Sequence, residues 1–308
     1  MAAQDERVRR LIGRLQKDVG EVILAAMQAS DTLDVMVNGT VAYVERRGAG
    51  MVRLCDAVPD STVAFMRTLA GYYGLVVDER SPILECTLPW DGSRFAGALP
   101  PIVEAPIFSV RRRAASTIRL RDYVESGALS PSQLHMIQEA IGAHKNIIVA
   151  GGTGSGKTTL VNALIAEIVR LSPANEERPI ILEDTPEIQC DAPNCVNLFT
   201  SSSVSMAKLV HFALRLRPRR VFVGEVRGQE ALDLIMAWST GHGGGAATVH
   251  ADSAQDTLLR LRSLVSMSPY APRDHLDVMI RKAVDVVVYI ERTSEGRRVR
   301  EVLSLDEH

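Results

Sequence analysis

Apolar positions along the chain recur with two periods, and the points where one gives way to the other divide it into elements. Val8, Leu11, Leu15, Val22 and Ile23 fall near helical spacing with Arg7, Arg9, Arg10, Arg14 and Lys17 between them, so residues 5–29 read as one helix with a basic start. From Leu33 the period shortens to two. The run DVMV, the turn NGT and the run VAYVER predict a hairpin. Thr62–Tyr73 reads as a helix, and LECTLPWDGSRFAGALPPI and APIFSVRR read as short strands interrupted by proline, glycine and aspartate. Residues 1–112 are therefore expected to form a smaller, mixed α/β domain.

The stretch that follows, RRRAASTIRLRDYVESGALS, is polar, basic and without apolar periodicity. Residues 113–120 at its start read as a linker, and 121–308 as a second domain. Ser130-Pro131 opens a helix as cap and first-turn residue, with Leu134, Ile137 and Ile141 facing inward. The apolar runs NIIVA, PIILED, RVFVGEV and AATVH then alternate with the helical segments TLVNALIAEIVRL, SMAKLVHFALRL and QEALDLIMAWS. That alternation predicts an α/β domain with a mostly parallel sheet and helices on both of its faces. VDVVVYIER and RRVREVLSL, joined around SEG, read as a closing pair of strands.

Composition narrows the picture mainly by exclusion. A chain of 308 residues suits two domains. A net charge of -2 and a pI near 6.4 give no global pull toward nucleic acid or lipid, so any such contact would need a local patch. The basic first helix is such a patch, although a helix packed on its own domain with a solvated basic face is the favoured reading. No apolar stretch approaches the length of a bilayer span, and the charged opening MAAQDERVRR is unlike a secretory signal, so a cytoplasmic location is expected. Cys55 and Cys86 are far apart and Cys190 and Cys195 are separated by DAPN; no zinc site is expected, and the thiols read as reduced.

The stretch with the most specific chemistry is GGTGSGKT, between the apolar run ending at Ala150 and the helix that follows. In a chain of this length the pattern G-x-x-x-x-G-K-[ST] arises by chance on the order of one time in a hundred. Gly151, Gly152, Thr153, Gly154, Ser155 and Gly156 form a loop whose backbone N–H groups can converge on a polyphosphate at a helix N-terminus. Lys157 can reach the β and γ phosphates, Thr158 can offer its hydroxyl to a magnesium ion, and Thr159 continues the first helical turn. ATP and Mg²⁺ are the expected ligands. Hydrolysis needs more groups. IILEDTPE places Glu183 at a strand end to orient water or the magnesium shell, and RVFVGEVRG places Glu225 to activate water. In STGHGGGAATVHADS, His242 is grouped with the nucleotide-binding residues and His250 with the catalytic ones, because the further ligands of a zinc site are missing nearby. Charge compensation could come from Arg94, Arg111, Arg112 or Arg113, which lie in the first domain or at its edge.

Taken in order, GGTGSGKT, ILEDTPE, VFVGEVRG and TGHGGGAATVHADS resemble the Walker A, aspartate, Walker B and histidine boxes of the secretion ATPases of type II and type IV secretion, pilus assembly and conjugation. LRLRPRRVFVGEVRGQEALDLIMAWSTGH carries most of the likeness, which is strongest to the VirB-type ATPases of type IV secretion and their conjugal-transfer members. The resemblance implies a RecA-like ATPase domain, a homo-hexameric ring, inner-membrane partners in a secretion or conjugation machine, and a peripheral place at the cytoplasmic face of that membrane. It also implies that arginines of the N-terminal domain reach the phosphates, which singles out Arg94 and Arg111. The chain departs from the pattern at Arg219 and Gly243, away from the expected phosphate contacts. A pilus or type II secretion ATPase is the nearest alternative. A nucleic-acid motor built on Arg215, Arg217, Arg219 and Arg220 ranks lower, because no aromatic residues interleave with them, and so does a non-hydrolysing scaffold.

Overall fold

The computed structural model describes residues 2–56, 58–59, 61–112, 118–172, 177–201, 203–272 and 274–305. Its contacts divide the chain into two compact units, Met1–Ala115 and Ser116–His308.

In the first unit the amphipathic start forms two helices, α1 (Ala2–Asp18) and α2 (Glu21–Gln28), where one was expected. Gly20 breaks the run. It adopts a φ of 87°, and a Cβ there would stand 2.6 Å from Pro59 Cγ, so neither continued helix nor a larger residue fits. The predicted hairpin is β1 (Thr32–Asn38) and β2 (Val41–Arg46), extended by β3 (Gly50–Cys55), which the sequence reading leaves out. Helix α3 (Thr62–Tyr72) precedes β4 (Ile83–Thr87), β5 (Arg94–Ala98) and β6 (Ile107–Arg111). Among the described residues these strands make one antiparallel six-stranded sheet in the order β3-β2-β1-β6-β5-β4. Alternate residues such as Val35, Val37, Phe95, Phe108 and Val110 point to one core with Leu15, Ile23, Phe65 and Leu69 of the helices. Phe65, Phe95 and Phe108 meet there at centroid distances of 5.4–5.8 Å.

The second unit opens with α4 (Leu120–Glu125), whose Leu120 and Tyr123 are buried, so ordered helix begins within the stretch 113–120 expected to be linker. Residues 113–117 of that stretch, Arg113 included, lie outside the described residues. Helix α5 (Pro131–Gly142) starts as expected: the Ser130 hydroxyl accepts from Gln133 N at 3.2 Å, and the Gln133 side chain accepts from Ser130 N at 2.9 Å. Then follow β7 (Ile147–Ala150), α6 (Lys157–Leu171), β8 (Pro179–Glu183), β9 (Val196–Phe199), α7 (Met206–Leu214), β10 (Arg220–Val223), α8 (Glu230–Ser239), β11 (Ala246–Val249), α9 (Ala254–Val265), α10 (Leu276–Ala283), β12 (Val286–Thr293) and β13 (Gly296–Ser304). The seven-stranded sheet among the described residues runs β13-β12-β7-β11-β10-β8-β9. Its strands are parallel except β13, which closes one edge antiparallel to β12.

Period two in this sheet separates two cores. Ile148, Ala150, Val221, Val223, Ala247 and Val249 pack on one face against α7, α8, α9 and α10, while Ile147, Val149, Phe222 and Ala246 pack on the other against α4, α5 and α6. Because both faces are covered, β7, β8, β10 and β11 are buried along their whole length, which is why they read as unbroken apolar runs.

Candidate functional site

The carboxyl ends of β7, β11, β10 and β8 lie side by side, with Val249 paired to Ala150 and Val223 paired to Ala247 and Leu182. The segments that leave those ends form the site, as the crevice beyond the strand ends of an open parallel sheet commonly does. Residues 151–156 follow β7 and turn into α6. Gly154 and Gly156 adopt φ values of 71° and 99°. A Cβ at Gly151 would stand 2.1 Å from Ile290 O and 2.6 Å from Ser155 Oγ, so the loop fits only without a side chain there. Gly152, Thr153 and Gly154 are exposed at its crest, and Thr159 is half-buried on the first turn of α6. Ser155 is 2 % exposed, and its hydroxyl has no hydrogen-bond partner among the described residues. An orphaned buried hydroxyl inside a glycine cradle suits an anion's oxygen.

Lys157 is 8 % exposed and bends back into the loop, its Nζ donating to the carbonyls of Gly151 and Gly152 at 2.9 Å each. Burial pulls the ammonium pKa down, Glu225 opposes that, and Arg227 adds to it. Thr158 Oγ1 donates to Glu187 Oε2 at 3.4 Å. Glu187 is brought there by α6 itself: Asn162, 5 % exposed, accepts from Gln189 N at 3.0 Å and donates to Glu187 O at 3.4 Å. Glu183, which the sequence assigns to water, is 3 % exposed, and its Oε1 accepts from Glu187 N at 3.0 Å and Ile188 N at 2.8 Å. It braces the turn that presents Glu187.

Glu225, one residue beyond Gly224 at the end of β10, meets His250 at the end of β11, with Oε1 3.0 Å from His250 Nε2. Its Oε2 accepts from Arg227 Nη2 at 2.5 Å. Burial raises the Glu225 pKa, but the hydrogen bond and charge of Arg227, with His250 and Lys157, outweigh it and leave the carboxyl below its ordinary value. His250 is pulled below its ordinary value by burial and by Lys157, against the pull of Glu225. The Lys157 ammonium stands 3.5 Å from the His250 ring nitrogens, so loop, imidazole and carboxylate are continuous.

His242 is the residue that the structure removes from this group. It lies before β11, on the amino-end side of the sheet, where a Cβ at Gly243 would contact Asn146 at 3.4 Å and Gly244 N donates to Asn146 Oδ1 at 2.7 Å. The glycine loop leaves the other end of the neighbouring β7, so a whole parallel strand separates His242 from it. Arg220 likewise leaves the surface arginine cluster. It is 2 % exposed and bonds Glu177 Oε1 at 3.1 Å and Gly244 O at 2.8 Å, which makes it a structural ion pair.

In the first unit Arg94 and Arg111 face each other across β5 and β6. Arg111 Nε donates to Asp34 Oδ1 at 3.1 Å, while Arg112 bonds the carbonyl of Ala29 and so turns inward. Two residues of the second-unit site escape the sequence reading as roles, Glu187 and Arg227. Each lies in a polar turn just beyond a strand end, where position is legible but the direction of a side chain is not.

Comparison with known proteins agrees with this architecture. The family model described as type II/IV secretion system protein matches residues 26–295. Conjugal transfer protein TrbB of Rhizobium radiobacter is 43% identical over 299 residues, spanning 96% of this chain and 91% of that protein. Among solved structures, the VirB11 ATPase of the Brucella suis type IV secretion system, in complex with sulphate, is 26% identical with a TM-score of 0.52 and covers 97% of this chain and 96% of its own. The pilus retraction motor PilT with bound ADP shares the fold at a TM-score of 0.66 and 20% identity, over 92% of this chain and 82% of its own.

Proposed function

The chain belongs to the type II/IV secretion system protein family and is a secretion ATPase, and from that premise we propose that it hydrolyses magnesium-bound ATP in a homo-hexameric ring that drives a type IV secretion or conjugal-transfer machine. The observation that carries this reading is the convergence of the glycine loop, Glu225 and His250 at adjacent strand ends. A loop alone would bind a nucleotide; a carboxylate held ionised beside it supplies a base.

The loop amides and Ser155 hold the phosphates, with Lys157 released from the carbonyls of Gly151 and Gly152 to the phosphate oxygens. Thr158 and the nucleotide phosphates would hold Mg²⁺, which would supply charge neutralisation during phosphoryl transfer. Glu225 takes the proton of the attacking water, His250 holds Glu225 in place, and Glu183 fixes the turn carrying Glu187 next to Thr158. Arg94 and Arg111 compensate the charge that develops on the transferring phosphoryl group. The partners are components of a membrane-bound secretion or conjugation complex. No helix among the described residues is long and apolar enough to cross a membrane, which fits attachment at its cytoplasmic face through those partners.

The deciding measurement is ATP turnover across a range of protein concentrations, with oligomeric mass recorded in parallel and Lys157→Ala as the blank. Specific activity is expected to rise together with the hexamer. A monomer turning over at full rate would remove the ring from the chemistry.

A further inference from the structure

The turn after β10 carries a cation, Arg227, to which the roles above assign nothing. Arg227 stands two residues after Glu225, and its guanidinium donates from Nη2 to Glu225 Oε2 at 2.5 Å while Nη1 lies 3.9 Å from Asp184 Oδ2. Asp184 is itself held, accepting from Thr200 Oγ1 at 2.8 Å. Glu225 is thus gripped from both sides, with Arg227 on one oxygen and His250 on the other.

The stem under Arg227 is rigid although its side chain is 56% exposed. The N–H groups of Arg227 and Gly228 both donate to Glu230 Oε1, at 2.7 and 2.8 Å, which ties the turn to the start of α8. The backbone under Arg227 is therefore fixed, its guanidinium is held by Glu225 and Asp184, and its planar fork favours one orientation of the carboxylate it holds.

Resting on the ATPase reading above, we propose that Arg227 is a positioning residue for hydrolysis, anchoring Glu225 Oε2 so that Oε1 is the oxygen offered to the attacking water. The reason is one of freedom. A glutamate on a strand end has several rotatable bonds, and its oxygens would otherwise sample positions away from the loop. His250 alone cannot fix it, because a single hydrogen bond leaves the carboxylate free to pivot. A second anchor on the opposite oxygen removes that pivot. With Arg227 56% exposed the pair contributes modestly to folding, and the consequence of the contact is the orientation of Glu225.

The test is steady-state ATP turnover by the full-length chain carrying Arg227→Ala, Arg227→Lys, Glu225→Gln or both Arg227→Ala and Glu225→Gln, with thermal melting as the control for folding. Arg227→Ala is expected to lower kcat by roughly 10- to 100-fold with KM within about threefold, since misplacing a general base removes rate more than binding. Arg227→Lys recovers part of the rate, added guanidinium recovers part of it in Arg227→Ala alone, and the double variant is no slower than Glu225→Gln. An Arg227→Ala enzyme with kcat within about twofold of wild type, or with KM raised and kcat unchanged, overturns the proposal. Failure of the underlying reading looks different: Glu225→Gln would then turn over at the wild-type rate.

Discussion

Lys157 places its two shortest hydrogen bonds within its own loop, on the carbonyls of Gly151 and Gly152, and so an ammonium that burial disfavours keeps its charge partly solvated by backbone. This residue, with Thr158, Glu225 and His250, is legible in the sequence because each adjoins an apolar run whose end is sharply marked. The same loop shows where legibility stops. His242 and His250 flank one short strand, and a strand advances about 3.3 Å per residue, so residues adjoining its two ends are carried to opposite edges of the sheet. The sequence groups both histidines with the phosphate site, and the strand between them places His242 at the far edge of the sheet. The cysteines make a residue-scale prediction. Cys86 is pushed up to about 12 by burial, whereas the hydrogen bond from Cys195 holds Cys190 below its ordinary value against burial. Brief alkylation with iodoacetamide near neutral pH, read by peptide mass spectrometry, should therefore label Cys190 well before Cys86. Equal labelling would show that the Cys195 contact does not persist in solution.

At the scale of elements, what the sequence hides is mostly what a short or interrupted pattern cannot show. Helix α4 offers only Leu120 and Tyr123 as buried positions, too few for a period to register. The stripes of α9 and α10 are present, with Leu261, Leu264 and Val265 buried on one and Leu276 and Ile280 on the other, but they lie beyond the last box of recognisable chemistry. The single helix expected over 5–29 fails because helical spacing survives a two-residue break at Gly20. The crossing of α5 and α6 yields a prediction with a definite sign. Glu167, whose side chain is 7% exposed, accepts from Gln138 Nε2 at 2.6 Å and from Arg170 Nη2 and Nε at 2.6 and 2.9 Å. Arg170 lowers its pKa, with burial opposing and Gln138 assisting. A carboxyl whose folded pKa lies below its unfolded value stabilises the fold above the unfolded value, and that contribution is lost as the pH falls through the folded one. Arg170 is half exposed, so the net effect is modest. Glu167→Gln is expected to cost about 1 kcal/mol at pH 7 in urea unfolding, with the gap closing below about pH 4. A deficit that is the same at both pH values would assign the loss to packing.

For the whole molecule, the change of composition near residue 113 made the existence of two units legible, since a polar, basic stretch without a period reads as a boundary, although Leu120, Tyr123 and Leu129 within it are buried in the second core. What it could not show is what the first unit contributes beside the site that the second unit holds. The proposed answer lies in a row of side chains across the first sheet. Arg111 is paired in register with Asp34 on one side and Arg94 on the other. Like charges directly opposite one another on neighbouring strands are destabilising, by roughly 0.2–1 kcal/mol, and Asp34 offsets part of that cost by pairing with Arg111. An anion between them would remove the repulsion, and in the reading above that anion is the transferring phosphoryl group. In the intact chain, Arg94→Ala and Arg111→Ala should each lower kcat by about 10-fold or more while nucleotide affinity, measured by equilibrium binding, changes only a few-fold. Arg111→Ala also removes the partner of Asp34, so its melting temperature must be compared before its rate is read. If both variants melt and turn over as the wild type does, the second unit is chemically self-sufficient, and the first unit's part in the motor is confined to assembly and force.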